Sequence, residues 1–108
     1  IFIDSNVELM DGVKDVNVYN KIFEAVEKVP GASNPHRVRS RMIGNRYIIT
    51  LDIEVNPQIT ITQAHEIAGA VEKSIESSVD NVYDILVHVE PAGECQTDEK
   101  FGIDRDMV

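Results

Sequence analysis

The sequence predicts an α+β domain in the order α-β-β-α-β, an open-faced sandwich with two helices on one face of a three-stranded sheet. Three observations carry this expectation. Two windows repeat apolar residues at helical spacing, three shorter runs have strand character, and the first two of those runs are separated only by Gly44-Asn45. A helix returns to the same side every three to four residues and a strand every second residue, so the two patterns separate cleanly.

Each element follows in turn. Residues 1–14 hold no sustained period and end in Met10-Asp11-Gly12, which reads as a turn or linker. From Asp15, a suitable N-cap, Tyr19, Ile22, Phe23, Val26 and Val29 form one stripe, and Lys21, Glu24, Glu27 and Lys28 lie outside it. Pro30-Gly31 stops that helix. Strands over 36–43 and 46–55 follow, joined by Gly44-Asn45, two residues that tolerate positive φ and suit a tight hairpin. Asn56-Pro57 ends the hairpin. Thr62 is the expected cap of a second helix to about residue 78, with Ala64, Ile67, Ala68, Val71 and Ile75 as its buried stripe. Residues 82–90 form the third strand and Pro91 closes it. The domain proper is thus 15–91, and the aperiodic 92–108, with Glu94, Asp98, Glu99, Asp104 and Asp106, is expected to be a flexible acidic tail.

Length and charge bound the function. At 108 residues the chain supports one modest core. Nineteen acidic against ten basic residues give a net charge of −9, which argues against nucleic acid and against docking on anionic lipid. The same acidity suits cations. The lone Cys95 rules out an intramolecular disulfide and a multi-cysteine zinc site within one chain. No apolar run approaches the roughly 18 residues of a spanning helix. There is no Gly-rich phosphate loop, nucleophile elbow or His-Glu-x-x-His helix, so an enzyme is not expected.

Strand alternation directs attention to one face. Tyr47, Ile49, Leu51, Ile53 and Val55 point to one side of the second strand, and Ile48, Thr50, Asp52 and Glu54 to the other. In the third strand Tyr83, Ile85, Val87 and Val89 oppose Asp84, Leu86, His88 and Glu90. If these strands are neighbours over a common core, Asp52, Glu54, His88 and Glu90 converge on the uncovered face, a mixed imidazole and carboxylate cluster suited to a divalent transition metal. Ile48 and Leu86 beside them leave apolar surface that a homodimer would cover.

The residues also carry a resemblance. Pro35-His36-Arg37-Val38-Arg39-Ser40-Arg41 resembles the His-x-hydrophobic-Arg-x-Arg strand of the C-terminal domain of the cation diffusion facilitator family. Gln63-Ala64-His65-Glu66-Ile67-Ala68 is similar to the start of its second helix, and Val87-His88-Val89-Glu90-Pro91 to its closing His-x-acid-Pro strand. Leu9-Met10-Asp11 resembles the segment leaving the last membrane helix. The resemblance implies a ferredoxin-like, metallochaperone-like cytoplasmic domain that dimerises beneath a membrane transporter exchanging divalent metal for protons. Residues 1–14 would then be the linker after a transmembrane part absent from this sequence, and the magnetosome iron transporters are a subgroup with similar domains.

Carried over position by position, the resemblance assigns His36, Asp52, His65, His88 and Glu90 as metal ligands. Asp52 stands where many members have a histidine, so a harder oxygen replaces an imidazole, and Zn2+, Fe2+ or Mn2+ all suit the set. Plain alternation puts His36 and Arg37 on opposite faces, so His36 joins the cluster only at a frayed strand entrance. Blander roles are open to each residue: a helix-end role for His65, a solvated one for His88, Glu54 and Asp84, an incidental one for Cys95, and an ion pair of Asp52 with Arg37 or Arg39. Two other functional classes share the outline. A small-ligand regulatory domain would bind through loop backbone, and a free-standing metal chaperone would carry a Cys-x-x-Cys loop, which this chain lacks.

Overall fold

In the computed structural model, which describes residues 16–93 and 103–105, the expected order appears in full: α1 Val16–Glu27, β1 Ser33–Ile43, β2 Arg46–Val55, α2 Ile61–Ser78 and β3 Val82–Pro91. Helix α1 buries Tyr19, Ile22, Phe23, Ala25 and Val26, the stripe its spacing predicts. Its expected cap Asp15, the 1–14 linker and Cys95 lie outside the described residues. The turn after α1 requires glycine at position 31. Gly31 has φ +92°, and a Cβ there would stand 2.8 Å from Ile67 Cδ1 on α2.

The cap of α2 differs from the expected one. Thr60, not Thr62, holds the N-terminus: its Oγ1 accepts from Gln63 N–H at 3.0 Å, and Gln63 Oε1 accepts from Thr60 N–H at 2.9 Å. Two donors that the helix leaves unsatisfied are thereby met reciprocally, which Thr62, three residues before His65, has no side chain to match.

The sheet order is β1-β2-β3, with β1 and β2 antiparallel and β2 and β3 parallel through the α2 crossover. Ile49, Leu51, Ile53 and Val55 of β2 face the helices, where they meet Phe23, Val26, Val71 and Ile75 in the core. Tyr83, assigned to the core face by alternation, is instead 59% exposed at the start of β3, with the Arg46 guanidinium 5.8 Å above its ring. On the opposite face Leu86 is 65% exposed, opposite Thr50.

Strand β1 is irregular where it matters most. Its pairing runs Ser33↔Glu54, His36↔Asp52 and Arg39↔Thr50, so β1 advances three residues for every two of β2 at two successive places. These are β-bulges. Each contains a residue in the left-handed region, Asn34 at φ 47° and Arg37 at φ 50°. Asn tolerates that conformation, whereas for Arg it costs roughly 1–2 kcal/mol. The segment 92–108, expected to be a flexible tail, is held to the sheet at 103–105: Val38 and Ile103 exchange backbone hydrogen bonds of 2.9 and 2.7 Å along the outer edge of β1.

Candidate metal centre

The second bulge decides which side chains meet. Counted back from Arg39, which pairs with Thr50 of the open face, strict alternation would leave His36 with the core. With the extra residue, Val38 is fully buried in the core, and His36 and Arg37 both face Asp52. The frayed entrance expected for His36 is therefore a bulge inside the strand. The parallel register of β2 and β3 sets Asp52 opposite His88 and Glu54 opposite Glu90, which brings the carboxylates of Asp52 and Glu90 onto the same patch.

The resulting cluster has an inner and an outer side. On the inner side His36 Nε2 lies 3.1 Å from Glu90 Oε1 and 3.8 Å from Asp52 Oδ2. On the outer side His88 Nδ1 lies 3.6 Å from both Asp52 Oδ1 and Glu90 Oε2. Asp52 and Glu90 are buried, whereas the His88 side chain is 64% exposed. Arg37 Nε approaches Asp52 Oδ2 to 2.7 Å.

One contact fixes the chemistry of His36. Its Nδ1 is 2.7 Å from the backbone carbonyl of Asn34. A carbonyl only accepts, so Nδ1 carries the proton, and in the neutral ring Nε2 presents a lone pair to the two carboxylates. A lone pair facing two anions is repulsive unless a cation lies between them. Glu90 Oε1 is buried and accepts no hydrogen bond among the described residues, whereas Asp52 Oδ2 already has the Arg37 guanidinium beside it. Candidate ligand atoms of His36, Asp52 and Glu90 lie within 4.8 Å of one another. Donors about 2.1 Å from one tetrahedral ion stand roughly 3.4 Å apart, so the separations of 3.1 and 3.8 Å on the inner side fit such an ion.

The five ligand candidates thus divide. The structure brings His36, Asp52, His88 and Glu90 together and leaves His65 exposed in the first turns of α2, on the helix layer. Glu54 is taken by Asn34, whose Nδ2 donates to its Oε2 at 2.9 Å, and Asp84 Oδ1 accepts from Ile85 N–H. Residues not singled out from the sequence complete the surroundings. Asn34 orients His36 through its carbonyl, and Asp104 Oδ1 accepts from the Arg37 N–H at 3.1 Å. An asparagine ahead of Pro35 was a visible sign of irregular backbone, whereas nothing local marks Asp104.

Comparison with known proteins places this geometry. Residues 6–92 match the family described as "Cation efflux protein, cytoplasmic domain". Among curated relatives, the magnetosome protein MamM of Magnetospirillum gryphiswaldense is 33% identical over 83% of this chain and 28% of its own length. Metal tolerance protein 2 of Oryza sativa subsp. japonica is 30% identical over 80% of this chain and 22% of its own. The chain therefore spans less than a third of the length of these relatives. Among solved structures, the metal-bound C-terminal domain of the CzcD transporter from Thermotoga maritima is 36% identical with a TM-score of 0.72, covering 77% of this chain and 96% of that one. A cytosolic domain of a cation diffusion facilitator family protein is 37% identical with a TM-score of 0.70, covering 75% and 96%. These are transporter domains and not enzymes, and the ferredoxin-like fold is theirs as well. The chain belongs to the cytoplasmic-domain family of the cation efflux proteins, the cation diffusion facilitators.

Proposed function

We propose that this domain binds a divalent transition metal through His36, Asp52 and Glu90, with His88 at the mouth of the site, and that it does so as the homodimeric regulatory part of a membrane transporter exchanging divalent cations for protons. The observation that carries the reading is the inner side of the cluster, where the buried Glu90 Oε1, which accepts no hydrogen bond among the described residues, and Asp52 Oδ2, paired with Arg37, face the Nε2 of an imidazole held by its other nitrogen on Asn34 O. The metal-bound form of the CzcD relative supports it. One or two imidazoles with two carboxylates suit Zn2+, Fe2+ or Mn2+, and the oxygen donors move preference away from the softest ions. Manganese efflux system protein MneS of Bacillus subtilis, 30% identical over 84% of this chain, is in keeping with that range.

The dimer rests on the open face. Leu86 and Ile43 are exposed there or at its margin, and among the described residues no helix covers them. Metal would regulate by favouring one of two arrangements of the protomers, which requires tighter binding to one arrangement than to the other. The transporter itself would supply the length by which the relatives exceed this chain, with this domain on the cytoplasmic side of the membrane. Among the described residues no helix is long and apolar enough to cross a membrane. Calorimetric titration of the chelator-stripped domain with zinc, iron(II) and manganese tests the proposal. Binding that is lost in Asp52→Ala and weakened in His88→Ala is expected. Equal binding by wild type and Asp52→Ala would leave the cluster as a network of ion pairs.

A further inference from the structure

We infer that Arg37 is a tethered competitor of the metal and that residues 103–105 hold it in place, so that docking of this segment and metal binding oppose each other. The inference rests on the metal reading of the cluster and adds a control to it. Arg37 Nε lies 2.7 Å from Asp52 Oδ2, the same oxygen that stands 3.8 Å from His36 Nε2. That oxygen cannot give its full charge to a guanidinium and to a metal ion together. Unlike a proton, a guanidinium is not removed at any ordinary pH, so the competition is built into the chain.

Arg37 sits in the second bulge with a left-handed backbone at φ 50°, and that bulge is supported from outside the sheet. β1 is an edge strand. Along its outer edge Val38 exchanges two backbone hydrogen bonds with Ile103, and the Arg37 N–H donates to Asp104 Oδ1 at 3.1 Å. The next residue anchors the segment on α1: Arg105 Nη1 donates to Asn20 Oδ1 at 3.2 Å, Nε lies 3.4 Å from Glu27, and the guanidinium sits 5.5 Å over the Phe23 ring. Asp104 thus acts as a positioning residue on the backbone whose side chain neutralises a metal ligand. Coupling of this kind is reciprocal: whatever secures Arg37 on Asp52 weakens the metal, and bound metal loosens Arg37 and the segment behind it.

The test is zinc titration of the full chain. Arg37→Gln, which removes the charge and keeps a donor, should bind zinc about ten- to hundredfold tighter, the scale on which a neighbouring arginine alters a carboxylate's hold on a cation. Arg37→Lys, which keeps the charge, should stay close to wild type. Asp104→Ala should tighten binding by about two- to tenfold, the worth of one hydrogen bond. Arg41→Gln removes the same charge from an exposed position further along β1, beyond the reach of unscreened interaction, and should change nothing. Arg37→Gln binding no tighter than wild type overturns the competition, and Asp104→Ala with unchanged affinity overturns the role of the segment. Failure of the metal reading itself looks different, because His36→Ala and wild type would then titrate alike.

Discussion

Glu90→Gln should make the metal-free domain more stable while abolishing its response to metal. Glu90 is 7% exposed, and its Oε1 lies 3.1 Å from His36 Nε2 without forming a hydrogen bond. In the neutral ring that nitrogen is an acceptor, because Nδ1 gives its proton to Asn34 O. A glutamine amide in the same place can donate to it. The substitution removes a buried anionic oxygen without a partner, whose cost is about 1–3 kcal/mol, and adds a hydrogen bond. A gain of at least about 1 kcal/mol is expected in chelator, a rise in Tm of roughly 4–8 °C for a domain of this size. Metal has the opposite effect. Changes to groups that merely support a ligand weaken metal about 10–100-fold, so loss of a ligand charge should weaken it at least about 100-fold. At a zinc concentration one hundred times the wild-type Kd, wild type gains about 2.7 kcal/mol and the variant about 0.4 kcal/mol. The order of stability should therefore reverse between chelator and zinc, which urea unfolding under both conditions measures directly. A variant less stable in chelator would make Glu90 a structural ion-pair partner. A variant with the full zinc gain would place the metal elsewhere.

Other outcomes follow from the same geometry. Replacing both Asp52 and His88 with alanine should leave the fold intact and abolish any metal-dependent compaction of the dimer seen by small-angle scattering. Because Asp52 is the partner of Arg37, the cost should be about 1–3 kcal/mol rather than the few tenths typical of a surface change; an unfolded variant would make the pair structural. Metal affinity should fall as pH is lowered from about 7.5 to 5.5, since a protonated imidazole cannot ligate. Affinity constant over that window would exclude histidine from the site. The metal-free domain should be a homodimer by light scattering at micromolar concentrations, and Leu86→Glu should dissociate it; a stable wild-type monomer would remove dimerisation from the mechanism.

Much of this was legible in the sequence, and what was not has physical causes. The helical stripe of α1, the Gly44-Asn45 turn and the alternation of β2 are local signals, and they yielded the element order and the faces of Asp52, His88 and Glu90. The parallel pairing that sets Asp52 beside His88 is not local, and became visible only with the crossover in place. The departures cluster in β1. Its observed start at Ser33 precedes the expected one because two bulges interrupt the alternation by which strands are read. The same bulges set His36 beside Arg37 over Asp52, so a residue considered only as one possible ion-pair partner proves central. Thr60-x-x-Gln63 was readable as a capping box, and Thr62 was the weaker choice for want of a partner three residues on. The role of Asp104 had no local sign, because it depends on a segment returning from beyond β3 to the far edge of the sheet.

The distribution of the cluster along the chain also bears on how the domain comes apart. His36 lies near the beginning of β1 and Glu90 near the end of β3, so an ion between them closes a loop that contains the hairpin, α2 and most of β3. Closing a long loop is entropically costly, and the parallel contact of β3 with β2 is the most non-local in the sheet. The ion's ligands are complete only after β3 has docked. Metal should therefore slow unfolding while leaving the rate of folding nearly unchanged, since it stabilises contacts formed after the rate-limiting step. Amide hydrogens of β3, which has one edge unpaired among the described residues, would be the first to record this as slower exchange with solvent.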